Sequence, residues 1–182
     1  MQKKVLVPLA PGVEEIEAVG IIDVLRRAGI KVVPAAIGSK KLTASRGVVL
    51  IADVLWSKVS KESFDAIILP GGYKGTQALL KTRSLLSAIK NHASRGCIIG
   101  AICAAPLVLK KTGLITERHV TCHPAVRKEL NVRQYINKKV VADGKIVTGQ
   151  GPGAVFAFAL KIVEMLNNKN CAVKISTEMV VS

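Results

Sequence analysis

The sequence has no apolar run long enough to cross a lipid bilayer, which takes about 20 consecutive apolar residues in a helix. Its hydrophobic stretches, such as residues 5–10 and 97–105, are short and are interrupted by proline or glycine. Hydrophobic residues nevertheless make up 49% of the chain, and the mean hydropathy is +0.37. This composition excludes a disordered chain and indicates several buried strands.

An export signal is also missing from the first residues, because the first apolar run stops at Pro11-Gly12 and an acidic cluster follows. We therefore expect a cytoplasmic protein. The length of 182 residues predicts a single domain that spans residues 1–182.

Acidic and aromatic residues are scarce. The chain has 12 Asp and Glu against 27 Lys and Arg, which gives a net charge of +15, and only 3% of its residues are aromatic. Such a charge attracts nucleic acid or acidic surfaces. The basic residues are spread along the chain, however, and few rings are available to stack on bases. Nucleic-acid binding is therefore an alternative that we do not favour as the main function.

Metal-binding and cofactor-binding patterns are absent as well. The four cysteines at positions 97, 103, 122 and 171 form no C-x-x-C pair and no metal-ligand spacing. The Gly151-Pro152-Gly153 segment matches neither a P-loop nor a dinucleotide fingerprint. We expect free thiols, no metal and no cofactor.

Short apolar runs alternate with segments of helical periodicity along the chain. The predicted strands are residues 4–9, 30–36, 48–51, 66–69, 97–102 and 119–122, and a hairpin of 138–142 with 145–148. The predicted helices are residues 14–28, 82–93, 104–111 and 153–166. Alternation of this kind predicts an α/β fold, with a mainly parallel sheet covered by helices on both faces. Functional sites in such sheets lie beyond the carboxyl ends of the strands.

Cys103 is the first candidate for chemistry at that edge. It stands where a predicted strand runs directly into a helix, so its thiol would be exposed at a sharp turn and the helix start would favour the thiolate. Free cysteines are more often inert core residues, but the position favours a reactive one. Gly71 and Gly72 follow another buried strand, and their amides, with that of Ala104, predict an oxyanion hole beside the sulfur. An ordinary tight turn is the alternative for the two glycines.

Glu17 lies in the first turn of the first predicted helix. Glu14 and Glu15 fit the usual preference for acids at a helix start. Glu17 differs from them only if it points over the sheet edge, where a carboxyl beside a thiolate would stay protonated and could shuttle protons. His123 follows a predicted strand and could serve as a base or an orienting group, although lone histidines are more often structural.

Five short motifs then stand in a familiar order. They are LAPGVEEIE at 9–17, LPGG at 69–72, AICA at 101–104, TCHP at 121–124 and GPG at 151–153. Over essentially its whole length the chain resembles the ThiJ/PfpI superfamily, and most of all its DJ-one branch, which includes a Parkinsonism-associated protein.

This resemblance implies a flavodoxin-like three-layer sandwich and a homodimer. It also implies that Cys103 is redox-sensitive and has the Glu17 carboxyl as its partner, with His123 nearby. Arg46 and Arg27 match arginines that the family places near the dimer-side site, where they would bind an anion. Ala104 stands where the protease and chaperone branches have histidine, which argues against peptidase activity.

The activities that the resemblance implies are conversion of methylglyoxal to lactate without a cofactor, as in a glyoxalase III, and repair of glycated proteins and nucleotides. The substrates would be small aldehydes such as methylglyoxal and glyoxal, or glycated groups. The alternative is a non-enzymatic redox sensor or oxidative-stress chaperone that acts through oxidation of Cys103. A label of thiamine-thiazole biosynthesis, carried by bacterial relatives, is a weaker assignment.

Overall fold

The structure is a computed structural model and describes residues 2–181. Apolar runs of three to six residues form most of the strands, as their β-branched composition favours. Within the described residues the strands are β1 (Lys4–Leu9), β2 (Lys31–Ala36), β3 (Lys41–Thr43), β4 (Val49–Ile51), β5 (Val54–Leu55), β6 (Ala66–Leu69), β7 (Ile98–Ile102), β8 (Val140–Asp143) and β9 (Ile146–Gly149).

The helices connect these strands. They are α1 (Glu15–Arg27), α2 (Trp56–Val59), α3 (Tyr73–Lys81), α4 (Arg83–Ser94), α5 (Pro106–Thr112), α6 (Arg127–Leu130), α7 (Val155–Leu166) and α8 (Lys169–Glu178). Gly29 and Gly113, both with positive φ, follow α1 and α5 and end them.

Seven strands form one sheet in the order β5-β2-β1-β6-β7-β9-β8. Every neighbouring pair is parallel except β8 and β9, which form the predicted antiparallel hairpin. The remaining strands, β3 and β4, pair with each other in a separate two-stranded ribbon. The predicted mainly parallel sheet with helices around it is confirmed.

The core has two layers, one on each face of the sheet. Alternate residues of β1 point to opposite faces: Val5, Val7 and Leu9 pack with α1, α7 and α8, while Leu6 packs with α2 to α5. Both layers are fully buried at their centres, so the three central strands β1, β6 and β7 are fixed relative to one another. Their carboxyl ends therefore form a rigid edge.

The structure corrects the predicted elements in several places. Residues 119–122 do not form a strand, because only Val120 makes a bridge, with Tyr135, and the Thr121 amide donates to the hydroxyl of Thr148. Helices α3 and α8 occur where the sequence pattern predicts none. The predicted helix at 82–93 corresponds to α4, which begins at Arg83; the Thr82 hydroxyl donates to the carbonyl of Ala78 and does not cap it.

Candidate active site

Cys103 lies immediately after β7 and has a left-handed backbone conformation, with a φ of 64°. Such a conformation costs a non-glycine residue about 1–3 kcal/mol, so its neighbours must hold it in place. Its N–H donates to the carbonyl of Gly149, and its carbonyl accepts from the N–H of His123, both at 2.9 Å. The strand therefore turns sharply at Cys103, as at a nucleophile elbow, and the residue lines an open cleft.

The helix after the elbow begins later than the sequence predicts. Helix α5 starts at Pro106, three residues beyond Cys103, and has only seven residues. Its first turn is therefore not placed directly after the sulfur. The backbone amides of Gly72 and Ala104 donate to the sulfur instead, and they favour its charged form.

Glu17 lies in α1 beneath the cleft, and its side chain has no exposed surface. One carboxyl oxygen, Oε2, accepts a hydrogen bond from the Gly71 amide at 2.7 Å. The other, Oε1, has no hydrogen-bond partner within the described residues. The thiol of Cys103 lies beside this carboxyl. Burial raises the pKa of Glu17 to about 7, and the hydrogen bonds from Gly71 and Cys103 only partly offset that increase.

Gly71 and Gly72 are required by space as well as by conformation. A Cβ atom on Gly71 would lie 2.6 Å from the Cβ of Cys103 and 2.8 Å from Oε2 of Glu17. Gly72 has a φ of 84°, and a Cβ there would lie 2.3 Å from the carbonyl oxygen of Gly12. The backbone of this turn therefore comes so close to the thiol, to the carboxyl and to Gly12 that nothing larger than glycine fits at either position.

The thiol is subject to the same burial. Burial, and next to it the negative charge of Glu17, raise the pKa of Cys103 to about 12, although the two amides act in the opposite direction. Two buried groups in contact do not both carry a negative charge, so the pair shares a single one. A thiolate at Cys103 beside a protonated Glu17 stays a prediction.

His123 also lines the cleft, beside Cys103. Its Nδ1 accepts a hydrogen bond from the Ala125 amide at 3.2 Å, so the ring proton lies on Nε2. In this tautomer the ring presents an N–H donor and not a base at Nε2. Among the described residues, no carboxylate forms an ion pair with it.

The cleft above the sulfur has a volume of about 860 Å³ and includes several residues that sequence reasoning missed. Tyr73, Lys74 and Glu129 line it, and the hydroxyl of Tyr73 donates to Glu129 at 3.2 Å. Sequence periodicity predicts neither of the helices that carry them, α3 for Tyr73 and Lys74 and α6 for Glu129. The acids at the helix start were also interpreted too simply, since Glu14 and Glu15 both contact the Ser45 hydroxyl, at 2.6 and 2.9 Å.

The structure separates the two arginines that the family resemblance brings together. Arg46 lines the cleft, and its backbone N–H donates to Oε1 of Glu15 at 2.9 Å. Arg27 lies at the opposite end of α1, which is about 20 Å long, and pairs with Asp23. One copy of the chain therefore does not form an anion site from both arginines, and a role for Arg27 at a dimer-side site stays a prediction.

Within residues 2–181, no helix is both long and apolar enough to cross a membrane. The same residues contain no group of three or more His, Cys, Asp or Glu side chains that could hold a metal ion.

The chain has a flavodoxin-like sheet, a cysteine at a strained elbow and a buried carboxyl beneath that cysteine. These features define a class of α/β proteins with a potential sulfur nucleophile. Within that class the chain belongs to the DJ-1/PfpI family, whose model matches residues 3–165.

Curated relatives agree with this assignment. The chain is 42% identical over 175 residues to protein DJ-1 homolog B of Arabidopsis thaliana, covering 95% of this chain but only 40% of that longer protein. It is 39% identical to protein dj-1beta of Drosophila melanogaster, over 100% of this chain and 99% of the relative. It is 38% identical to a Caenorhabditis elegans protein named glutathione-independent glyoxalase DJR-1.2, over 91% of this chain and 89% of that one.

A solved structure extends the likeness to the whole fold. Oxidized DJ-1 of Toxoplasma gondii superposes with a TM-score of 0.95 at 40% identity, covering 99% of each chain.

Proposed function

We propose that the chain converts 2-oxoaldehydes such as methylglyoxal into 2-hydroxy acids, without glutathione or another cofactor, through Cys103 and Glu17. The observation that carries this proposal is the contact between a strained, cleft-lining thiol and a buried carboxyl with a pKa of about 7. A carboxyl with this pKa exchanges its proton readily near neutral pH, as a general acid and base must. The name of the Caenorhabditis elegans relative supports the same reaction class.

The first step is addition of sulfur to the aldehyde. In this step the proton of Cys103 lies on Glu17 as the carbon–sulfur bond forms. The amides of Gly72 and Ala104, which already donate to the sulfur, are close enough to stabilise the oxyanion that develops next to it. Glu17 then returns the proton to that oxygen, and a hemithioacetal results.

The second step is an internal oxidation and reduction. Glu17 takes the hydrogen of the former aldehyde carbon as a proton and delivers a proton to the ketone carbon through an enediol. The first carbon is thereby oxidised to a thioester, and the second is reduced to an alcohol. Water hydrolyses the thioester, which releases the hydroxy acid and restores the thiol. The sum is one 2-oxoaldehyde plus one water to one hydroxy acid.

The test is turnover of methylglyoxal to lactate in the absence of glutathione. Cys103→Ala should abolish lactate formation, while Cys171→Ala, which removes a cysteine outside the cleft, should leave it unchanged. In the native chain the rate should rise with pH through about 7, where Glu17 loses its proton. Full turnover by Cys103→Ala would exclude the mechanism.

A redox sensor that acts through Cys103 is the second candidate. Its support is that the Toxoplasma gondii relative has been solved in an oxidized state. Mild peroxide should then add two oxygens to Cys103, seen as a mass increase of about 32, and methylglyoxal turnover should be negligible. A homodimer, a cytoplasmic location, deglycation and a thiamine-related role stay predictions that these assays do not decide.

A further inference from the structure

A second concave surface is formed by helix α6 and the segment that follows it. This surface, the α6 pocket, has a volume of about 420 Å³ and is lined by residues 127, 128, 131–133 and 135. A smaller hollow of about 240 Å³ shares residues 131–133 with it and extends to Lys110 and Glu117. None of these residues lines the cleft above Cys103. The α6 pocket is thus separate from the proposed reaction, and its volume is within the range of about 300–1,000 Å³ that is usual for small-molecule sites.

The α6 pocket is strongly basic. Arg127, Lys128 and Arg133 line it, and no acidic side chain of residues 2–181 does. All three cations are exposed, and none of them forms an ion pair within the described part of the chain. The charge of the pocket is therefore not neutralised from inside it.

Nearby carboxylates do not restore the balance. The segments that form the two hollows, residues 110–117 and 127–135, contain two acidic residues and five basic ones, at 110, 111, 127, 128 and 133. Of the acids, Glu117 lines the smaller hollow, and Glu129 lines the cleft. The Nζ of Lys110 donates to the backbone carbonyl of Glu129 at 2.9 Å and not to its carboxylate. A surplus of positive charge therefore remains when both acids are counted in full.

The cations are held together by the local fold. The guanidinium of Arg127 lies 4.4 Å from the centre of the Tyr135 ring, a cation–π contact that limits its freedom. Leu130 is fully buried and anchors α6 to the core. Asn131 then ends the helix with a φ of 40°, its amide donating to the Arg127 carbonyl, and this turn brings Arg133 to the same pocket. Like charges that the fold keeps close together repel each other, and a bound anion would relieve this repulsion.

We propose that the α6 pocket binds the diphosphate group of a small organic ligand such as a nucleoside diphosphate. The planar forks of Arg127 and Arg133 can each bind two phosphate oxygens, and Lys128 supplies a third positive charge. A terminal diphosphate carries a charge of about −3, against about −2 for a single phosphate, so the diphosphate matches the three cations better. This binding site goes beyond the proposed function, because none of its residues takes part in the chemistry at Cys103.

The aromatic content of the pocket favours a small ligand over a nucleic-acid strand. Among the described residues, Tyr135 is the one aromatic side chain that lines the pocket, and Arg127 covers one face of its ring. Binding of single strands depends on several rings on which successive bases stack. The pocket has no such series of rings.

Three probes that differ only in their phosphates test the ligand class. They are ADP, AMP and adenosine, and binding is measured by calorimetric titration at low ionic strength, where charge interactions are least screened. ADP should bind most tightly, AMP more weakly and adenosine not measurably. Arg133→Gln and Lys128→Gln should each weaken ADP binding about five-fold, the effect expected for the loss of one exposed ion pair. Equal affinities for ADP and AMP would overturn the assignment of a diphosphate.

The matched control is Arg83→Gln. Arg83 is exposed at the start of α4, forms no ion pair within residues 2–181 and lines neither hollow. All three substituted side chains are exposed, so each variant should fold as the native chain does. Arg83→Gln should bind ADP with native affinity. Equal weakening in Arg83→Gln and Arg133→Gln would overturn the site, because binding would then follow the net charge of +15 and not the pocket.

A single-stranded RNA oligonucleotide distinguishes the other class of ligand. It should bind Arg133→Gln and Arg83→Gln equally, because contacts with phosphates would be spread over the whole basic surface. Oligonucleotide binding that depends on Arg133, with ADP bound no more tightly than adenosine, would overturn the proposal and assign the pocket to nucleic acid. Methylglyoxal turnover should be the same in the three variants, so the proposed function and this site can fail independently.

Discussion

Replacing Glu17 by glutamine should stabilise the protein at alkaline pH. The carboxyl is fully buried, and it receives a hydrogen bond from the Gly71 amide that the amide oxygen of glutamine can also accept. Burial raises its pKa from an ordinary value of 4.5 to about 7. A shift of this size corresponds to about 3 kcal/mol of unfavourable free energy for the ionised form in the folded chain.

The sign of the pH dependence follows from proton binding. Because the pKa of Glu17 is higher in the folded than in the unfolded chain, the folded state binds more protons between pH 4.5 and about 7. The favourable contribution of the protonated group is present in full below pH 4.5, and it is lost as the pH rises through about 7. Glutamine has no such loss, so the difference in unfolding free energy between variant and native chain should grow by about 2–3 kcal/mol from pH 5 to pH 8.

The assay is urea denaturation of both proteins at pH 5, 6, 7 and 8. Any pH-independent effect of the new amide group shifts all four differences equally, so only their change with pH is diagnostic. Glu164→Gln, at a half-exposed carboxyl paired with Lys161, is the control and should show almost no pH-dependent difference. A difference for Glu17→Gln that stays constant, or that grows towards acid pH, would refute the reasoning.

Two further substitutions test the site and the fold. Gly71→Ala would force its Cβ to 2.6 Å from that of Cys103, so activity should be lost and the midpoint of thermal unfolding lowered, whereas Gly153→Ala, with no heavy atom within 4 Å of the new Cβ, should change neither. Asn168→Ala removes the side-chain oxygen that accepts from the Cys171 amide at the start of α8, so denaturation should show a loss of about 1 kcal/mol with activity retained. An unchanged unfolding midpoint in either test variant would contradict the contact assigned to it.

The sheet could be predicted from the sequence because its strands are short, continuous apolar runs separated by clear turns. The run at residues 66–69 is an example, since its boundaries agree with those of β6. The elements that were missed carry weaker signals. Helix α3 contains Gly75, and glycine is a poor helix former. Tertiary packing requires glycine there, because a Cβ at Gly75 would lie 2.8 Å from the backbone nitrogen of Val13.

The position of the site could be predicted for a related reason. In a parallel sheet the carboxyl ends of β1, β6 and β7 must meet at one edge, so residues that follow these strands come together regardless of their separation in sequence. Cys103, Gly71 and Gly72 follow β7 and β6 directly. Lys74 and Glu129 do not follow strands, and they reach the cleft through helices that sequence periodicity did not define.

The protonation states could not be predicted, because they depend on the balance between burial and nearby charge. From the sequence, a thiolate beside a protonated carboxyl is expected. In the structure, burial raises the pKa of both groups, and the charge of Glu17 acts further on that of Cys103. A position after a strand indicates that a thiol can react, but only the packing around it determines how its proton is removed.

The burial of this pair also explains why it is better suited to chemistry than to stability. The left-handed backbone at Cys103 and the buried carboxyl of Glu17 both oppose folding, the first by about 1–3 kcal/mol and the second by about 3 kcal/mol at alkaline pH. Both features break local rules of protein stability at the same point of the sheet edge, and such departures concentrate at functional sites. If the pair were only structural, a glutamine at position 17 would serve the fold better at every pH above 7. The less stable arrangement retains a carboxyl that can accept the thiol proton and return it.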